Sequence, residues 1–379
     1  MHNIVVIGSG LAGYMLAKEF RKLDTQTPLT MITENEGHFY SKPQLSTTLT
    51  QARHPISLSM GTAEAMEKQL NMRVITQTHV KKIDREHKFV ICDDQKLPYS
   101  HLVLALGAEK IKPCVQGTAV DEIHSVNHLE EYRIFRTWLE TKKSIAVIGS
   151  GLVGCEFAND LINTGYKVLV ISKDTYPLSG IVPEKIGNTL RDVLASAGVD
   201  WYFGRTVCAV NRADNQVIMS LDKGDELYVD GVFSATGLRA HTQLAAEAGL
   251  EISRGIVVNR FLQTADPAVC ALGDCAEVNG YLLQYIAPLL ECARALAKTL
   301  AGEPTEVGYP VMPVIVKTPS CPIISVLPRS PEGSWEFSGE GIDIEAKFID
   351  LEGNLSGFCL SGKAIAKRAQ FVKQLPHLF

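Results

Sequence analysis

One local unit occurs twice in this chain, and that duplication leaves little freedom in the fold. Ile4-Val5-Val6-Ile7 is a β-branched run that leads directly into Gly8-Ser9-Gly10-Leu11-Ala12-Gly13. Ile145-Ala146-Val147-Ile148 leads in the same way into Gly149-Ser150-Gly151-Leu152-Val153-Gly154. Short runs of this kind read as parallel strands buried on both faces. After the first, Leu11, Met15, Leu16, Phe20 and Leu23 recur at helical spacing, and the strand Leu29-Thr30-Met31-Ile32-Thr33 ends on Glu34. After the second comes a helix carrying Glu156, Phe157, Leu161 and Ile162, then the strand Val168-Leu169-Val170-Ile171. Each unit is closed by an apolar strand ending on glycine, Leu102 to Gly107 and Gly231 to Gly237.

A G-x-G-x-x-G between a strand and a helix is built for a pyrophosphate. Gly8 permits the tight turn, Gly10 lets the backbone approach the phosphates, and Gly13 lets helix and strand pack closely; Gly149, Gly151 and Gly154 repeat the pattern. The free amides and positive end of the helix hold the anion. Glu34 is placed to accept hydrogen bonds from a ribose diol. In the second unit the corresponding strand end reads Ser172-Lys173-Asp174. Ser172, taken as the ribose position, accepts a diol without rejecting a phosphate, so the residues alone leave NADH and NADPH open.

The other features narrow the class by exclusion. A net charge of −5 argues against a general nucleic-acid binder. No apolar run is long enough to span a bilayer, and the N-terminus enters a strand without a basic or cleavable leader, so a cytoplasmic protein is expected. The nine cysteines include no C-x-x-C pair and no metal-ligand cluster, and the single C-x-x-x-x-C spacing, Cys270 to Cys275, spans the strand end Leu272-Gly273-Asp274 and not the stretch after Glu34. Reduced, mostly buried thiols and no metal site are expected.

Between the units and after them, the chain is read as follows. Residues 38–46 form a turn-like stretch with Lys42-Pro43, residues 56–70 a helix, and residues 72–93 short strands. Leu272-Gly273-Asp274 places a carboxylate at the exposed end of a strand, where open α/β sheets bind ligands. A helix is expected over 286–301, then a proline-rich segment with short strands and a last helix over about 362–374. From Gly353 to Phe379 there is no acidic residue, while Lys363, Lys367, Arg368 and Lys373 make that segment basic.

In this order, these motifs resemble the flavin-dependent pyridine-nucleotide reductases. The resemblance covers essentially the whole chain and implies an α/β fold, with two Rossmann-like three-layer nucleotide-binding domains and a small α+β C-terminal domain. The implied layout is a discontinuous FAD domain over 1–110 and 236–309, an NAD(P)H domain over 111–235 and a C-terminal domain over 310–379. Tyr40-Ser41-Lys42-Pro43-Gln44-Leu45-Ser46 and Val316-Lys317-Thr318-Pro319 are most similar to stretches of the rubredoxin reductases. Glutathione reductase-like members need a C-x-x-x-x-C beside the flavin, and no cysteine lies in the stretch from Glu34 to Ile91. NADH oxidases and peroxidases carry a cysteine where this loop has Ser41-Lys42. Oxygenase-type ferredoxin reductases share the Lys/Arg-Pro loop but usually carry an aromatic F-W-S-x-Q segment in the C-terminal domain, and here the only tryptophan of that domain, Trp335, lies in Gly333-Ser334-Trp335-Glu336-Phe337.

The resemblance also implies roles. Gly8, Gly10, Leu11, Ala12, Gly13, Glu34, Lys42, Pro43, Gly107, Asp274 and Lys317 are expected to bind FAD, with Asp274 on the ribityl chain and Pro43 on the ring. Gly149, Gly151, Leu152, Val153, Glu156, Ser172 and Gly237 are expected to bind NADH, NADPH being the less favoured coenzyme. Lys42 near flavin N5, paired with Glu156, would stabilise charge as the ring is reduced. The implied reaction passes electrons from NADH through FAD to rubredoxin or a rubredoxin-like iron protein. A ferredoxin reductase, or a flavin-bound sensor with weak oxidase activity, is the alternative.

Overall fold

The computed structural model describes residues 3–93 and 95–379. Residues 1, 2 and 94, inside the stretch expected to bind FAD, lie outside the described residues. Both β-branched runs become central strands. Ile4–Ile7 sits in a five-stranded sheet with the strands in the order Val269–Ala271, His101–Leu104, Ile4–Ile7, Leu29–Ile32 and Arg73–Ile75. All four pairings are parallel. Ser144–Ile148 sits in a four-stranded parallel sheet between Lys167–Ser172 and Gly231–Ser234, with Val199–Phe203 outermost. Ile4, Val5 and Val6 are fully buried, as are Ile145, Ala146 and Val147. Helices cover parallel sheets on both faces, so these strands carry no polar alternation.

The glycines explain why the two units turn alike. Gly8 and Gly149 have φ of +113° and +108°. A Cβ on Gly13 would lie 2.1 Å from the Gly8 carbonyl oxygen, and one on Gly154 2.1 Å from that of Gly149. No larger residue allows the helices Leu11–Arg21 and Leu152–Ile162 to start this close to their strands.

The chain crosses between the two sheets at one place. Ala108–Lys110, leaving the first unit, pairs antiparallel with Leu238–Ala240, returning from the second. Two three-stranded antiparallel sheets, Val80 to Pro98 and Val207 to Val229, flank the units. The C-terminal part is a five-stranded antiparallel sheet in the order Val314–Val316, Ile323–Val326, Leu355–Ser361, Asp343–Asp350 and Gly333–Glu340. One hydrophobic core runs from Leu45 and Leu58 through Phe135, Phe157 and Phe233 to Val316, Ile323 and Cys359. All three parts of the chain therefore meet in a shared interior.

Two expected helices differ. Residues 56–70 are a 3₁₀ turn, Pro55–Leu58, a strand, Ser59–Gly61, paired with Phe39–Tyr40, and a helix, Ala63–Leu70, capped by Thr62. The pairing with Phe39–Tyr40 overrides the helical spacing. Over 362–374 the chain forms a 3₁₀ segment, Gly362–Lys367, and a short helix, Arg368–Val372. The amide of Lys363 donates to Asp343 Oδ1 at 2.7 Å, which ties the segment to the sheet edge. Lys363 and Lys367 are thus not an α-helical pair, and Lys367 forms an ion pair with Glu345.

Candidate active site

The two helices that follow the fingerprints share features an anionic ligand requires. Neither N-terminus is capped by a side chain, neither carries an acid in its first turn, and each begins from an extended glycine, Gly10 or Gly151. A Cβ built on Gly10 or Gly151 meets no atom within 4 Å. Unpaired first-turn amides facing open space at the positive end of a helix fit a pyrophosphate in both places. Leu11 and Ala12 open the first helix, and Leu152 and Val153 the second. Gly107 and Gly237 end the closing strands with φ of +71° and +108°.

Asp274 is brought to the first of these sites by a close approach. A Cβ on Gly273 would lie 2.8 Å from that of Ala12, so glycine lets the strand end come against the helix start. Burial pushes the Asp274 carboxyl up, and the Lys42 ammonium pulls it back. Burial lowers the Lys42 ammonium, and Asp274 and Glu131 oppose that. Each of the two charges steadies the other against burial. A flavin with a polyhydroxyl chain and an electron-accepting ring suits such a donor set. Glu34 lies two residues past the strand Leu29–Ile32, exposed, and hydrogen-bonds to His79.

Glu156 does not pair with Lys42 as the resemblance implies; it pairs with Lys317. Glu156 Oε2 is 2.6 Å from Lys317 Nζ and accepts from Ser46 Oγ at 2.5 Å, while Oε1 accepts the Lys317 amide at 2.9 Å. Lys317 Nζ also donates to the Pro43 carbonyl at 2.7 Å. With both oxygens taken, Glu156 joins the Lys-Pro loop, the second unit and the C-terminal domain. Lys42 starts the 3₁₀ turn Lys42–Thr47, directly before Pro43, and the Asp274 and Glu131 charges favour its ammonium.

Ser172 ends its strand as the spacing implies, but its side chain is engaged within the protein. It is buried, its Oγ accepts from Ser150 Oγ at 2.8 Å and donates to Asp174 Oδ2 at 3.1 Å. In the first unit the same place belongs to Thr33, bonded to Ser9 at 2.8 Å, and not to Glu34.

Sequence reasoning missed Ser46 and a polar cluster beside the crossing strands. Ser46 closes the quoted Lys-Pro stretch, but nothing local marks it as a ligand of a carboxylate 110 residues away. In the cluster, His128 Nδ1 is 3.0 Å from Glu130 Oε2, Lys110 pairs with Glu131, and the Asn127 amide donates to Glu131 Oε2 at 2.8 Å. Burial works against the His128 cation, but its bonds to Glu130 and Glu131 push it up to about 9. Burial likewise opposes the Glu131 carboxylate, yet His128 and Lys110 hold it down at about 2.

The cysteines remain thiols. Cys114 and Cys208 are exposed, and the other seven are buried. Burial pushes the Cys275 and Cys359 thiols up to about 12. No group of metal-ligating side chains occurs among the described residues, and no helix among them is long and apolar enough to cross a membrane.

Comparison with known proteins agrees with this geometry. Residues 2–296 match the model of the pyridine nucleotide-disulphide oxidoreductase family, and residues 306–375 that of the rubredoxin binding C-terminal domain. The chain is 46% identical to a rubredoxin-NAD(+) reductase of Alcanivorax borkumensis, over 99% of each chain. It is 41% identical to one of Acinetobacter baylyi, over 100% of this chain and 99% of that one. Among solved structures, a ferredoxin reductase from Rhodopseudomonas palustris superposes with a TM-score of 0.90 at 23% identity, covering 100% of this chain and 96% of that one. At that identity the likeness is one of fold.

Proposed function

The chain belongs to the pyridine nucleotide-disulphide oxidoreductase family, and from that premise we propose that it is a cytoplasmic NADH:rubredoxin oxidoreductase. FAD, when bound, supplies the conversion between the two-electron donor NADH and the one-electron carrier rubredoxin. The carrying observation is the pair of uncapped helix starts at Gly10 and Gly151, two pyrophosphate sites in one chain. We assign residues 1–110 and 236–309 to FAD, 111–235 to NADH and 310–379 to carrier docking.

The residues divide the work. Gly8, Gly10, Leu11, Ala12 and Gly13 receive the FAD pyrophosphate, Glu34 the adenosine ribose, and Gly107 and Asp274 the remainder of the cofactor. Lys42 and Pro43 border the ring, where the half-buried ammonium of Lys42 favours negative charge. Gly149, Gly151, Leu152 and Val153 receive the NADH pyrophosphate, and Gly237 borders the coenzyme. Glu156 and Lys317 hold the three parts at fixed separation, which is the orientation that hydride transfer needs. Cys270 and Cys275, the pair at C-x-x-x-x-C spacing, are buried free thiols that burial pushes up to about 12, which takes thiol exchange out of the route, so electrons leave directly for the carrier.

Steady-state reduction of purified rubredoxin, ferredoxin and oxygen by NADH tests the proposal. Rubredoxin is expected to be the fastest acceptor. Equal, slow rates with all three would overturn it in favour of a sensor.

A further inference from the structure

The two nucleotide cradles match residue for residue through three turns, and the match breaks where the adenosine ribose is read. The Gly8 amide donates to Ile32 O and the Gly149 amide to Ile171 O, both at 2.8 Å. The next residue on each strand, Thr33 or Ser172, is bound through its hydroxyl to the fingerprint serine. The neighbouring turn repeats as well. Gln77 donates to Asn35 O at 3.1 Å as Gly204 does to Asp174 O at 2.9 Å. Thr78 donates to Thr33 O as Arg205 does to Ser172 O, both at 3.0 Å. Gln77 and Gly204 share the left-handed conformation, with φ of +50° and +62°.

These bonds overlay Thr33-Glu34-Asn35 on Ser172-Lys173-Asp174, and Thr78 on Arg205. Glu34 and Lys173 are both exposed at the same point of the turn. A carboxylate there binds a ribose diol and repels a 2′-phosphate; an ammonium attracts the phosphate and still donates to a diol hydroxyl. The Asp174 carboxylate accepts from Ser172 within the turn. Arg205 joins the turn through its amide, while its guanidinium is neutralised by Asp222 and Asp225, so Lys173 is the cation the turn presents. Lys173 has no ion pair among the described residues.

We propose that Lys173 sets coenzyme selectivity and that the second cradle accepts the 2′-phosphorylated coenzyme, NADP(H), alongside NAD(H). This rests on reading the second cradle as the nicotinamide-coenzyme site. The test is calorimetric binding of NAD+ and of NADP+ to the FAD-loaded protein at low salt, for the parent, Lys173→Glu and Lys173→Met. The parent is expected to bind the two within about tenfold of each other, and Lys173→Glu to shift the ratio at least about tenfold toward NAD+. Lys173→Met should fall between them, and added salt should shrink the parent's NADP+ affinity more than its NAD+ affinity. NAD+ binding with NADP+ weaker by about a hundredfold or more in the parent, or an unchanged ratio in Lys173→Glu, overturns the inference and leaves the site reading intact. Failure of both nucleotides to bind overturns the site reading and the inference with it.

Discussion

Glu156 Oε2 lies 2.6 Å from Lys317 Nζ, and the two residues belong to parts of the chain 161 positions apart. The carboxylate is 2% exposed. Its partner reaches it from the C-terminal domain and continues to Pro43 and Ser46 of the Lys-Pro loop. A single ion pair thus connects the elements expected to carry FAD, NADH and the electron acceptor.

Removing one member of that pair should cost more than removing both. Lys317→Met leaves a buried carboxylate without its counter-charge, a loss of about 2–4 kcal/mol after allowing for partial exposure of the lysine. Glu156→Leu combined with Lys317→Met should recover part of it. Denaturant unfolding of the three variants checks the order, and a double variant less stable than Lys317→Met would refute it. NADH reduction of the flavin should slow in Lys317→Met, read by anaerobic stopped flow.

Asp274→Ala should loosen FAD. Gly273 brings the strand end that carries the aspartate against the first helix start, and a charge-assisted hydrogen bond contributes about 1.5–3 kcal/mol. Flavin-to-protein absorbance after dialysis is expected to fall. Full retention would remove Asp274 from the site.

The His128 cluster should give stability a pH dependence of defined sign. The His128 pKa is raised from 6.5 to about 9, so its contribution is complete below pH 6.5 and is lost as pH rises through about 9. The Glu131 pKa is lowered from 4.5 to about 2, so its contribution is present above pH 4.5 and is lost as pH falls through about 2. Melting temperature should therefore decline on the alkaline side between pH 6.5 and 9 in the parent, and His128→Gln should flatten that limb. A parallel decline in both proteins would assign the effect elsewhere.

Cysteine alkylation of the folded protein should label Cys114 and Cys208 and leave carrier reduction intact. These two are exposed, and burial raises the pKa of the thiols within the core. Mass spectrometry locates the adducts. Loss of turnover with the fold preserved would reinstate thiol chemistry.

Charge reversal in the basic C-terminal segment should weaken carrier docking unevenly. Lys367 is already paired with Glu345, whereas Lys363 is exposed and has no ion pair among the described residues. Lys363→Glu should therefore lower rubredoxin reduction at low salt more than Lys367→Glu, with NADH reduction of the flavin unchanged. Both effects should shrink as ionic strength rises. Equal rates for both variants and the parent would leave the segment without a docking role.

The two fingerprints were legible because everything they need is local. Tight turns, close helix packing and buried β-branched strands are fixed by residues within a short window, and Gly8, Gly13, Gly149 and Gly154 meet those demands in the sequence itself. Short hydrophobic runs likewise marked the strands, down to Val74-Ile75 and Phe89-Val90-Ile91. What only the tertiary structure decided were the pairings. The partner of Glu156 depends on how three parts of the chain meet in one core, so Lys317 takes the place the resemblance gave to Lys42. Which side chain is exposed at the end of the second unit's strand depends on tertiary hydrogen bonds: the sequence pattern stops at Ser172, whereas the bonds put Ser172 under the turn and leave Lys173 at its surface. Helical spacing over 56–70 gave way to a strand because Ser59–Gly61 found a partner in Phe39–Tyr40. Backbone preference acts over a few residues and is written in order along the chain. A salt bridge or a strand pair is chosen by packing free energy between segments, and its partners carry no mark of each other in sequence.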